Sequence, residues 1–203
     1  MSMKTLVLID VQNDFMPGGS LEVKNGDSII PVINKIMPQF DLVVATQDWH
    51  PKSHKSFASN HQDKKAFDEI LLNGYQQTLW PDHCVQNTQG AKFHPQLKTN
   101  SIEAIFRKGM NPEIDSYSGF YDNNHEKSTG LAGYLKEKKA DTLYFCGLAA
   151  DICVYYSMVD AMKENFEVHL LQDATQALDP KNFKNQTDDF NQLGINILFS
   201  SDI

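Results

Sequence analysis

The 203-residue chain carries 18 basic and 26 acidic side chains, a net charge of −8, with 41% hydrophobic and 22% charged residues. That balance is expected of one soluble domain spanning residues 1–203, and it speaks against a nucleic-acid partner, whose phosphates such a chain would repel. No apolar stretch approaches the roughly 20 residues of a membrane span. The run that opens at Met1-Ser2-Met3-Lys4 and closes at Asp10 is too short for a signal peptide. Cys84, Cys146 and Cys153 are odd in number and form no CxxC pair. They fit a reducing compartment, and the cytoplasm is the expected location.

Along the chain, short apolar runs are expected as strands at residues 5–9, 42–46, 101–106, 142–146, 167–171 and 195–199. Most are apolar on both faces, as in a parallel sheet covered on two sides. Helical patterns separate several of them. Residues 29–37 place Ile29, Val32, Ile33 and Ile36 on one face, and Ser128 can cap a helix running to Lys138. Residues 152–165 and 182–193 are the other helical candidates. The Lys136-Glu137-Lys138-Lys139 run reads as a solvated helix end. Strand–helix alternation of this kind means α/β: three layers, a predominantly parallel sheet of about six strands, and helices on both faces. No GxGxxG and no GxxxxGK[ST] occurs, so a dinucleotide or nucleoside triphosphate site is not supported. Three long loops, residues 13–26, 50–78 and 108–128, interrupt the alternation. Each follows the carboxyl end of an expected strand, where open α/β sheets place their ligands.

The chemistry-bearing residues gather at these strand ends. Asp10 closes the first strand, Lys108 the third, and Cys153 follows the fourth at a strand-to-helix turn, Gly147-Leu148-Ala149-Ala150-Asp151-Ile152-Cys153. A helix N-terminus stabilises a thiolate and can hold an oxyanion. A thiol nucleophile needs a base and a cation, which Asp10 and Lys108 would supply. Each residue alone has a plainer reading: a buried inert thiol, a loop-capping aspartate, a surface lysine. A second set, Asp48 and His50 after the second strand with His83 at the end of the long loop, suits Zn²⁺, Fe²⁺ or Mn²⁺. His54, His61, His94, His125 and His169 read as structural or exposed, though His54 lies close enough to support that set from behind. Phe15, Trp80 and Tyr117 sit in three different loops, where they either wall a pocket for a flat ring or pack the loops down.

Taken in order, Asp10-Val11-Gln12-Asn13-Asp14-Phe15, Asp48-Trp49-His50-Pro51, Trp80-Pro81-Asp82-His83-Cys84-Val85, Lys108-Gly109, Tyr117-Ser118-Gly119-Phe120 and the stretch from Gly147 to Val154 span nearly the whole chain. Together they resemble the nicotinamidase/pyrazinamidase family of the isochorismatase-like cysteine hydrolases. The resemblance implies an isochorismatase-like fold and the hydrolysis of nicotinamide to nicotinate and ammonia, a reaction of NAD salvage, with pyrazinamide as a second substrate. It implies a triad of Cys153 as nucleophile, Asp10 as general base and Lys108 as cation. Main-chain N–H groups of Ala149 and Cys153 would form the oxyanion hole, beside a cis peptide between Leu148 and Ala149. One divalent ion, zinc first with iron or manganese as alternatives, would be held by Asp48, His50 and His83 and would orient the pyridine ring. Phe15, Leu21, Trp80 and Tyr117 would line the ring pocket. Some relatives use a further histidine as ligand; His54 is the nearest candidate, and spacing does not settle it.

The partner so implied is a small molecule, with no membrane and no nucleic acid, and a homo-oligomer is left open. Other readings differ in what they require. An isochorismatase or a carbamoyl or ureido amidase of the same superfamily would not need the Asp48, His50 and His83 set. A hydrolase using metal-bound water would not need Cys153, and a binding module would need neither.

Overall fold

The structure, a computed structural model, describes residues 3–203; Met1 and Ser2, which open the N-terminal run, lie outside the described residues. Six parallel strands form the central sheet: β1 (Lys4–Ile9), β2 (Leu42–Asp48), β5 (Ala104–Lys108), β6 (Thr142–Leu148), β7 (Glu167–Gln176) and β8 (Asn196–Leu198). Their spatial order is β5-β2-β1-β6-β7-β8. Each expected strand run overlaps one of them. The fifth reaches beyond its apolar start, and the third is displaced toward the carboxyl side because residues 99–101 form a short turn of helix instead.

Helices cover both faces, as the double-sided apolar runs require. Leu6 and Leu8 of β1 pack with α1 (Ile29–Ile36) on one face. Val7 and Ile9 pack on the other with α2 (Leu131–Glu137), α3 (Tyr155–Lys163) and α4 (Pro180–Leu193). Successive residues of a strand point to opposite faces, so one unbroken apolar run serves two cores.

Two expectations are corrected. Ser128 is not the cap of α2, which starts at Leu131 after Gly130; Ser128 Oγ accepts the Gly130 N–H and Thr129 Oγ1 the Leu131 N–H. The span 50–78 is not all loop. It contains an antiparallel hairpin, β3 (Glu69–Leu72) and β4 (Tyr75–Thr78), turned by Asn73 and Gly74 at φ 51° and 88°. Asn-Gly is the pair that a type I′ turn favours, so the signal was present in the sequence.

The chain runs outward from β1 to β2 and β5, then returns to the other side of β1 as β6. The crevice outside the carboxyl ends of β1 and β6 is therefore the switch point where α/β sheets bind ligands. The two strands approach closely there: a Cβ on Gly147 (φ 113°) would lie 2.0 Å from the Ile9 carbonyl oxygen. The Leu148–Ala149 peptide is cis. A single wide turn over Ala150–Val154, closed by Val154 N–H to Ala149 C=O, then leads into α3.

Candidate active site

The strand ends bring the expected residues together. Asp10 follows β1 with φ 48°, Asp48 ends β2, Lys108 ends β5, and Cys153 stands in the wide turn after β6. All four are buried. The Lys108 ammonium lies 2.9 Å from Asp10 Oδ2, 2.5 Å from Asp48 Oδ1, 2.8 Å from the Ser116 carbonyl and 3.5 Å from Cys153 Sγ. Asp10, Asp48 and Cys153 each offer an atom within 4.8 Å of the others. A fully buried lysine survives only among such partners. Burial works against its charge, but the two carboxylates outweigh it and hold the ammonium well above the ordinary lysine value.

The same field sets the acid and the thiol. Burial raises Asp10 above the usual carboxylate value, against the pull of Lys108. It also pushes the Cys153 thiol well up, again with Lys108 opposing. The resting sulfur is a protonated thiol beside a carboxylate of enhanced basicity, the arrangement that proton transfer needs. Thr46 steadies that carboxylate: its hydroxyl donates to Asp10 Oδ1 at 2.7 Å and accepts the Asp10 N–H at 3.2 Å. Gln12 pins the end of β2, donating to Asp48 C=O and accepting from Asp48 N–H, both at 2.8 Å.

Asp48 joins the triad to the histidines. Its Oδ2 lies 3.5 Å from His50 Nε2 and 3.8 Å from His83 Nε2. His50 Nδ1 donates to the Gly109 carbonyl at 2.9 Å, and His83 Nδ1 to the Pro81 carbonyl at 2.8 Å. In its neutral form each ring therefore presents an Nε2 lone pair toward the carboxylate, and His50 Nε2 is buried with no hydrogen-bond partner among the described residues. Three electron-rich atoms facing one point repel unless a cation stands between them, so this donor set fits a divalent metal. Burial opposes a proton on His50, yet Asp48 raises its affinity for one above the ordinary imidazole value, as expected where positive charge is favoured.

His54 belongs to this neighbourhood rather than to the surface. It is fully buried, its ring centroid 4.6 Å from that of His50. Its tautomer is the reverse of the other two. Nδ1 accepts the Ser56 N–H at 3.1 Å, so the neutral ring carries its proton on Nε2 and presents a donor instead of a ligand lone pair. Burial keeps the ring neutral, with a pKa of about 4.

A cavity opens onto both groups. Phe15, Leu21, Trp80 and Tyr117 line it, with Asp48, His83, Ala149 and Cys153. Trp80 and Tyr117 meet edge-on at 6.0 Å, and the Trp80 indole N–H points to the Tyr117 hydroxyl at 3.3 Å. Sequence reasoning missed four further wall residues, Val23, Asp115, Ile152 and Leu178. Three are ordinary aliphatic side chains with no motif to mark them. Asp115 lies in a loop whose course the sequence does not reveal.

A family model, the isochorismatase domain, matches residues 4–201. The chain belongs to the isochorismatase family. Within this family it is 50% identical over 174 residues to a nicotinamidase of Acinetobacter baylyi, covering 86% of this chain and 81% of that one. The nicotinamidase pyrazinamidase of Acinetobacter baumanii superposes with a TM-score of 0.96 at 43% identity, covering 100% of this chain and 98% of that one. PnC1 of L. infantum, solved in complex with nicotinate, gives 0.86 at 39% identity, covering 98% and 94%. The pyrazinamidase of Pyrococcus horikoshii, solved in complex with zinc, gives 0.79 at 36% identity, covering 97% and 99%.

Proposed function

We propose that this protein is a nicotinamidase, hydrolysing nicotinamide to nicotinate and ammonia and also deamidating pyrazinamide. One observation carries the reading. A thiol, a carboxylate and an ammonium meet, and the thiol opens onto the same aromatic-walled cavity as Asp48 and His83. The nicotinamidase, pyrazinamidase and nicotinate-bound relatives support it.

Asp10 takes the proton of Cys153, and Lys108, 3.5 Å from the sulfur, offsets the thiolate charge as it forms. The sulfur attacks the carboxamide carbon. Main-chain N–H groups of Ala149 and Cys153 receive the oxyanion, an interaction worth about 3–4 kcal/mol for each donor in comparable sites. Protonated Asp10 gives its proton to the leaving nitrogen, and ammonia departs. Asp10 then takes a proton from water, whose oxygen attacks the thioester carbon; nicotinate leaves and the thiol is restored. A divalent ion held by Asp48, His50 and His83 would supply a Lewis-acid contact that orients the pyridine ring, and zinc in the Pyrococcus horikoshii pyrazinamidase favours that metal. Phe15, Leu21, Trp80 and Tyr117 bind the ring faces and exclude water. Nicotinate production places the enzyme in NAD salvage. Three free, buried cysteines suit the reducing cytoplasm.

The test is ammonia release from nicotinamide by wild type and Cys153→Ala, with and without a chelator. Loss of on the order of 10⁴-fold in the variant is expected. Substantial activity in Cys153→Ala would favour metal-bound water as nucleophile, and inactive wild type would end the proposal.

A further inference from the structure

Asp151 stands two residues before the nucleophile, is 2% exposed, and has no part in the mechanism above. Its carboxylate grips a different element. Oδ1 accepts the Leu178 N–H at 2.8 Å and Oδ2 accepts the Asp179 N–H at 3.0 Å. Its carbonyl accepts the Gln186 side-chain amide at 3.0 Å. The first two donors lie just before α4, and the third lies in its second turn. One residue of the nucleophile turn is thus bonded three times to the segment that follows β7.

Leu178 gives that grip a consequence for binding. Leu178 lines the ring cavity, and it also lines a broad outer groove with Phe67, Tyr156 and Asn182. Trp80, Tyr117 and Ile152 likewise border both spaces. These side chains form the partition between cavity and exterior. Trp80 and Tyr117 are cross-braced by ring contact and hydrogen bond, and Ile152 rides on the nucleophile turn. Leu178 stands on a connecting segment between β7 and α4, and Asp151 ties that segment to the turn.

We propose that Asp151 is a specificity-determining positioning residue. Its carboxylate holds the Leu178 and Asp179 amides so that Leu178 closes the outer wall of the ring cavity. The proposal rests on the nicotinamidase reading for its substrate, while the geometry of the grip does not. A backbone amide bonded to a carboxylate contributes about twice what a neutral hydrogen bond does. Asparagine at 151 keeps the shape but turns one acceptor into a donor facing an N–H, so the segment must shift. The loss falls on ring binding and not on the sulfur's chemistry.

The experiment measures kcat and KM for nicotinamide in wild type, Asp151→Asn, Leu178→Ala and the double variant, with hydrogen exchange of the amides in the two single-site Asp151 states. Asp151→Asn is expected to raise KM roughly 10-fold, the worth of one charge-assisted hydrogen bond, with kcat held within about 3-fold. The Leu178 and Asp179 amides should exchange faster while those of β1 and β6 do not. In the Leu178→Ala background, adding Asp151→Asn should change KM by less than roughly 2-fold, because the two act through one wall. A loss confined to kcat, or full additivity in the double variant, would overturn the proposal. Should Asp151→Asn not fold, Asp151→Ser, with its single acceptor, is read against the same outcomes. If wild type releases no ammonia from nicotinamide, the function reading fails separately; exchange at Leu178 and Asp179 then decides the grip, unchanged rates overturning it.

Discussion

Gly109 follows Lys108 and accepts the His50 Nδ1–H through its carbonyl, so Gly109→Ala tests whether the histidine set depends on this one backbone position. Gly109 has φ +66°, a left-handed conformation that costs an L-residue about 1–2 kcal/mol. A Cβ there would stand 2.3 Å from His50 Cε1 and 2.5 Å from Nδ1. Carbon contacts settle at about 3.5–4 Å, so the imidazole would have to retreat by more than about 1 Å. Three rings crowd its retreat: those of His54, His83 and Phe57 lie 4.6, 4.9 and 5.4 Å away by centroid. Overpacking of this kind adds about 1–3 kcal/mol, for a total of about 2–5 kcal/mol. In a chain of this size that lowers Tm by on the order of 5–15 °C. Metal affinity should fall about 10- to 100-fold, the usual effect of disturbing a ligand's outer hydrogen bond. Zinc titration by calorimetry and thermal unfolding by circular dichroism read the two effects. Gly133→Ala is the control: it is exposed on α2, and its Cβ would meet nothing within 4 Å. There the change should be neutral or stabilising by up to about 1 kcal/mol. A Gly109→Ala protein with wild-type zinc affinity and a Tm within about 2 °C of wild type would refute the reasoning.

Three other outcomes are expected. On the proposed mechanism the reaction needs ionised Asp10, whose pKa lies above the usual 3.8, so kcat/KM should be lost as pH falls through that raised value. Lys108, held well above 10.5, should add no alkaline limb below that pH; a pH–rate profile with metal content monitored at each point checks both. Thr46→Val removes the hydroxyl that favours the charged form of Asp10, which moves the acid limb to higher pH by on the order of one pH unit; an unmoved limb would mean that the hydroxyl plays no part. Iodoacetamide should modify one thiol per native chain, and peptide mass mapping should place it on Cys153. Cys153 lines the cavity, whereas Cys84 and Cys146 have no exposed surface, so access selects the site.

How much could be read in advance depended on how local each signal was. The sheet strands were legible because a strand covered on both faces must be apolar at every position, as in Leu6-Val7-Leu8-Ile9. The edge strand β5 alternates exposed and half-buried residues, so its register in the sequence was blurred. The hairpin was hidden by polar residues at Gln76 and Gln77 despite its Asn-Gly turn, because a two-stranded ribbon buries little. The α2 cap was misplaced since a serine two residues early satisfies the same composition rule.

For the site, residue type and place at a strand end were enough to nominate Asp10, Lys108, Cys153, Asp48, His50 and His83. Those are properties of short segments, and chemistry limits which side chains can act as nucleophile, base or ligand. Only the tertiary structure decided that one ammonium touches Asp10, Asp48 and Cys153 together, that carbonyls of Gly109 and Pro81 select the histidine tautomers, and that Ser56 turns His54 into a donor. Each of these depends on which strands become neighbours and on angstrom-scale separations between residues far apart in the chain. Hydrogen-bond direction and buried charge follow from that proximity, which no local pattern encodes.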